Sequence, residues 1–156
     1  MRGFIPALAV LAAPLLVSVA VCADSAPPNY SGTWQLDTAQ SHLPGEEAIT
    51  YTIQDASGQI NFTRIVREKD GKEITSQFSC KTGGSQCEFD EGGHKAKVSL
   101  WYDGPALVIL KTDGPKEDSV TQWRLMINSG GKTLNVDLEH IDPSDKPEKL
   151  VFDKKI

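Results

Sequence analysis

Three histidines, His42, His94 and His140, are the side chains best suited to move a proton or hold a metal near neutral pH. None has another histidine or a cysteine two or four residues away, the spacings that set two ligands side by side. Each lies in or beside a polar loop or strand end and reads as a solvated side chain. The acidic pairs Glu46-Glu47, Asp90-Glu91 and Glu117-Asp118 are adjacent in sequence, and adjacent strand residues point to opposite faces. They are therefore poorly placed to act as a glycosidase dyad. Asp90-Glu91 and Asp142 to Asp145 are oxygen-rich enough for calcium, a minor option. No Gly-x-Ser-x-Gly elbow occurs, so no serine is marked as a nucleophile. The sequence assigns no catalytic residue, no metal and no cofactor, and the expectation is a protein that is not an enzyme.

Two cysteines, Cys80 and Cys87, flank the turn-like run Lys81-Thr82-Gly83-Gly84-Ser85-Gln86. In an oxidising compartment an even number reads as one disulfide stapling a hairpin. The alternatives, a redox pair or half a metal site, lack the C-x-x-C spacing or a second cysteine pair.

The main chemical opportunity is apolar. Tyr51, Phe62, Phe78, Leu100, Tyr102, Ile109, Trp123, Leu125 and Val136 share the apolar register of their segments. They would either line a ligand cavity or fill a solid core, with Arg64, Gln122 or Tyr102 supplying polar contacts. Trp101, Val108 and Leu110 fall on the opposite register, as an exposed patch or beneath a loop.

Strands must position these side chains, because period-2 alternation dominates and no stretch sustains a helical repeat. Gly32 to Leu36 opens the first strand, and Asp37 to Glu47 is a loop or one or two helical turns. Ile49, Tyr51 and Ile53 alternate with threonines, and Ile60, Phe62, Arg64 and Val66 alternate in the next strand. Asp70-Gly71-Lys72 is a strong hairpin signal. The run Leu107 to Leu110 implies burial on both faces or a sticky outer one. The expectation is all-β: an antiparallel meander of about 8–10 strands closing into a barrel, or second a β-sandwich.

Arg2 followed by an apolar run from Phe4 to Val21, then Val21-Cys22-Ala23, reads as a cleaved export signal. Residues 1–23 would be the signal, 24–30 a tether, and 31–156 the domain, secreted or periplasmic after cleavage near Ala23. Val21 before Cys22 argues against lipidation, and no membrane anchor is expected. The formal net charge is −5, and Arg2 is the only charged side chain in the leader. The exported part is thus more acidic still, which disfavours nucleic acid and anionic membranes.

Ser31-Gly32-Thr33-Trp34-Gln35-Leu36-Asp37 with Ala39-Gln40-Ser41, and later Gly130-Gly131-Lys132-Thr133-Leu134, resembles the small exported lipocalin-like proteins of bacteria. Gln35 and Gly130 depart from the usual lysine and aspartate, and the middle of the chain carries no matching signature. The resemblance implies a calycin-type barrel whose Gly-x-Trp strand plugs one end while the other admits a ligand. It also implies an arginine packed over the tryptophan, here Arg124 over Trp34, in a structural role. The leading expectation is a binding protein holding a small apolar or amphipathic ligand. The alternative is an interaction module with an envelope protein partner, such as an inhibitor or stabiliser of an envelope enzyme.

Overall fold

Short alternating stretches punctuated by glycine turns become ten antiparallel strands in the computed structural model, which describes residues 26–41 and 48–156. They are β1 (Gly32–Leu36), β2 (Ala48–Ala56), β3 (Gln59–Arg67), β4 (Glu73–Lys81) and β5 (Gln86–Glu91), followed by β6 (His94–Asp103), β7 (Ala106–Asp113), β8 (Ser119–Ile127), β9 (Thr133–Asp142) and β10 (Glu148–Lys154). Each strand pairs with the next and β10 returns to β1, so the meander closes into a barrel with no free edge. The expected leader 1–23, the first residues of the tether, His42 and Glu46-Glu47 lie outside the described residues.

Alternation decides what turns inward. Ile49, Tyr51 and Ile53 of β2 are buried while Gln54 is exposed, and Phe78 and Cys80 of β4 are buried while Gln77 and Ser79 are exposed. The β3–β4 turn forms where Asp70-Gly71-Lys72 predicts it. Gly71 takes φ 86°, a conformation that disfavours other residues, and donates its amide to the Glu68 carbonyl at 3.0 Å. Cys80 and Cys87 are bonded, with Cα atoms 5.8 Å apart. That bridge lies where it is needed, since β4 pairs with β5 only through Ser76, Gln77 and Phe78.

One end of the barrel is sealed by the Gly-x-Trp strand. Trp34 is fully buried and donates its indole N–H to the Tyr30 carbonyl at 3.1 Å. Tyr30 was expected in the tether; instead it is fully buried and spans the base. Its hydroxyl lies 2.7 Å from the Pro105 carbonyl and 2.8 Å from that of Leu125, and accepts the Leu107 amide at 3.2 Å. The physical reason is that a tyrosine carries enough apolar surface to favour burial once its hydroxyl finds partners.

The cation over Trp34 is Lys154, not Arg124. Lys154 stands directly opposite Trp34 in the β1–β10 ladder, with Nζ 5.0 Å from the ring centroid. Arg124 sits on the outward register between Trp123 and Leu125 and pairs with Asp103 at 2.7 Å. On that outer wall Val108 is buried although it points outward, because Trp101 and Arg124 flank it on β6 and β8. Trp101 and Leu110 are half-buried, so the patch is partly self-covered.

Candidate functional site

Across the middle of the barrel the inward aromatics form a packed layer. Tyr51 stacks on Phe152 at 4.3 Å and meets Phe62 at 5.0 Å; Phe62 stacks on Phe78 at 5.0 Å. Phe89 then meets Phe78 at 5.5 Å and Trp123 at 6.3 Å, both edge-on. The void left between Tyr51, Phe62, Arg64, Phe78, Phe89, Ile109, Trp123 and Leu125 measures ≈ 10 Å³. That is room for about one water at most, so these side chains fill the interior.

Toward the end opposite Trp34, the same inward registers turn polar. Tyr51 pairs with Arg64, Arg64 with Ser76, Ser76 with Glu91 and Glu91 with His94, one row running across five strands. On the other side Thr121 of β8 pairs with Lys111 of β7 and His140 of β9. A register shift between Val120 and Thr121 brings Thr121 to His140, with Oγ1 3.2 Å from Nδ1. Arg64, Glu91, Lys111, Thr121, His140 and Glu148 rim an open concavity of ≈ 350 Å³. Tyr51, Trp123, Ile49, Leu138 and Leu150 complete its lining.

The charges of this rim fall into two sets. Lys111 Nζ reaches inside the barrel from β7 to Glu91 of β5 at 2.6 Å, with side chains only 15% and 21% exposed. The same ammonium lies 5.9 Å from the Phe89 ring centroid, joining the polar rim to the aromatic layer. Arg64 and Glu148 are different. Among the described residues neither makes a salt bridge, though both line the concavity. Between them lies Tyr51, whose phenol is pushed up to about 12, chiefly by burial. Arg64 opposes that rise and Glu148 adds to it, so the hydroxyl stays protonated at ordinary pH. At the strand ends His94 Nε2 pairs with Asp113 at 2.8 Å, and this contact holds the Asp113 carboxyl below its usual range.

Such an arrangement can grip a small molecule by apolar contact below and by charge above. Of the side chains expected to line a cavity, Tyr51 and Trp123 do so. Phe62, Phe78, Ile109 and Leu125 line the small void, Phe62 and Phe78 also border a separate concavity beside Asn61, Gln77 and Lys95, and Leu100 and Val136 are packed in the core. Tyr102 faces the sealed end, where its hydroxyl donates to Asp55 at 3.1 Å, and Gln122 lies on the outward register opposite Leu110. Arg64 is where a polar contact was expected.

His140 is not a plain solvated residue but part of the rim, whereas His94 is 62% exposed. Asp90 and Glu91 do not share a cation: Asp90 points out to Lys95 at 3.0 Å and Glu91 points in to Lys111. Glu91, Lys111, Thr121 and Glu148 were not singled out as ligand contacts. Their signal was a polar residue continuing an inward apolar register, as in Phe89-Asp90-Glu91 and Ile109-Leu110-Lys111.

A larger concavity of ≈ 490 Å³ lies on the outer wall beside Gln86, Lys97, Asp113 and Glu117. Its charges are already matched, Lys97 to Glu117, Lys95 to Glu88 and His94 to Asp113. The barrel end is therefore the better site, since it offers unmatched charge beside buried aromatic surface.

The geometry is that of a known class of barrel. The chain is similar to crystal structures of the fluorescent protein UnaG. A point mutant aligns with TM-score 0.58 and 18% identity over 81% of this chain and 96% of that one. The wild type aligns with TM-score 0.56 and 18% identity over 81% and 97%. The fold is a calycin-type barrel. At that identity the likeness speaks for architecture alone. No protein-family model matches the chain, and neither does any curated protein.

Proposed function

We propose that this chain is an exported, lipocalin-like binding protein, not an enzyme, that holds a small amphipathic molecule in the open end of its barrel. The observation that carries this reading is the ≈ 350 Å³ concavity, polar at its rim and aromatic at its floor. Its size falls at the small end of ligand sites, which span roughly 300–1,000 Å³. The architecture shared with UnaG supports the reading, and the Cys80–Cys87 bridge supports an oxidising compartment.

Native mass spectrometry of protein purified from its source, with lipid and small-molecule extraction, tests the container. A stoichiometric small molecule that protects Trp123 from quenching is expected. Protein that is empty and displaces no fluorescent amphiphile would count against it. Amino-terminal sequencing of the same material is expected to start at Asp24; an uncleaved, cytoplasmic chain would remove the exported part of the proposal.

A second reading, docking on an envelope enzyme, draws on the half-buried, outward Trp101 and Leu110 beside the covered Val108. In-cell crosslinking distinguishes it, because only that reading requires a stoichiometric protein partner.

A further inference from the structure

The rim of the concavity carries four charged side chains, and two of them cancel. Lys111 and Glu91 lie 2.6 Å apart and are largely shielded from water. Arg64 on β3 and Glu148 on β10 remain, one of each sign, half-buried and without a salt bridge among the described residues. Both lie close enough to the Tyr51 hydroxyl for their charges to act on it, in opposite senses. They face the same space yet do not join.

Arg64 hydrogen-bonds the neutral Tyr51 phenol, which leaves its charge unmatched; half-buried charges without a counter-charge are costly, and a ligand that supplies one relieves that cost. An anion alone would satisfy Arg64 and leave Glu148 facing added negative charge. A cation alone would do the reverse. A ligand carrying both signs satisfies both.

We infer, building on the container reading, that the occupant is a small zwitterion. Its anionic group meets Arg64, its cationic group meets Glu148, and its apolar body rests on Tyr51 and Trp123. The class is that of an α-amino acid with an aromatic or branched side chain, or a betaine of similar size. The remaining polar side chains of the rim are compatible with it, since His140 and Thr121 are turned to each other.

The test uses four molecules with related phenyl bodies: L-phenylalanine, 3-phenylpropionate, phenethylamine and 3-phenylpropanol. Binding to the purified protein is read by amide chemical shifts at the rim and by Trp123 fluorescence. Phenylalanine is expected to bind at least about tenfold more tightly than any of the other three. Arg64→Gln should abolish its advantage over phenethylamine, and Glu148→Gln its advantage over phenylpropionate. Unchanged thermal unfolding of each variant separates lost recognition from lost folding.

Equal binding of all four, or a singly charged compound binding as well as phenylalanine, would overturn the zwitterion and leave the container standing. Absence of binding by all four, up to millimolar concentrations, would overturn the zwitterion, and the container falls with it only if the same protein is empty and displaces no fluorescent amphiphile.

Discussion

Tyr51 and Arg64 stand opposite each other in the β2–β3 ladder, so a buried phenol and a guanidinium meet at the boundary between the aromatic layer and the polar rim. The boundary is set by register, since every second residue of each strand faces inward. Below it the inward positions are apolar, and at it they become Arg64, Ser76, Glu91 and Lys111.

Burial of the Tyr51 phenol, which Arg64 only partly offsets, predicts an alkaline weakness. The folded phenol keeps its proton up to about 12, whereas an unfolded tyrosine loses it near 10, so the folded state binds more protons between those values. Tyr51 leaves stability unchanged below pH 10 and lowers it as pH climbs from 10 to about 12, by on the order of 3 kcal/mol in full. Denaturant unfolding at pH 9 and pH 11.5 should show a smaller loss for Tyr51→Phe than for the parent. Equal losses would assign the effect to other groups.

The Lys111–Glu91 pair should show strong coupling. Lys111→Met or Glu91→Gln alone leaves a partly buried charge without its partner and should cost about 1–3 kcal/mol. The double variant should cost less than the two singles together, with a coupling of at least about 1 kcal/mol. A double-mutant cycle by urea unfolding measures this, and additive losses would mean that the pair contributes nothing.

The disulfide should matter modestly but measurably. Closing the short loop from Cys80 to Cys87 restricts the unfolded chain by about 2–3 kcal/mol on the loop-entropy model. Thermal unfolding with and without reductant should therefore differ by several degrees, and Cys80→Ala/Cys87→Ser should abolish the difference. Cys80 is buried, so the alanine is chosen to avoid placing a hydroxyl there.

Lys154→Ala and Arg124→Ala should separate the two cations. Removing Lys154 takes a charge from the Trp34 ring, at a cost of about 0.5–1 kcal/mol, and should alter the near-ultraviolet circular dichroism of that indole. Arg124→Ala removes the Asp103 contact and uncovers Val108, and should leave the Trp34 signal unchanged. The opposite outcome would return the arginine to the position expected from the family resemblance.

Local chemistry made much of this fold readable. Alternation marked Tyr51, Phe62, Trp123 and Leu125 as inward-facing, Asp70-Gly71 as a turn, and Cys80 with Cys87 as a bridge, because each depends on neighbours close in the chain. The rim was not readable in the same way. Whether Lys111 meets Glu91, or Glu148 shares a space with Arg64, depends on the stagger of strands far apart in sequence. The expectation of Arg124 over Trp34 failed for the same reason, since the placing of Lys154 there is a matter of cross-strand register between the first strand and the last. Tyr30 was missed because its partners, Pro105, Leu107 and Leu125, come together only when the ring closes.

That β10 pairs with β1 has a consequence during synthesis. Until Phe152 and Lys154 have emerged, the nascent sheet has two raw borders and its greasy lining is open to water. A chain delivered residue by residue must wait for its tail before it can lock, so the hazardous interval is set by elongation or translocation and by whatever shelters the half-made ring.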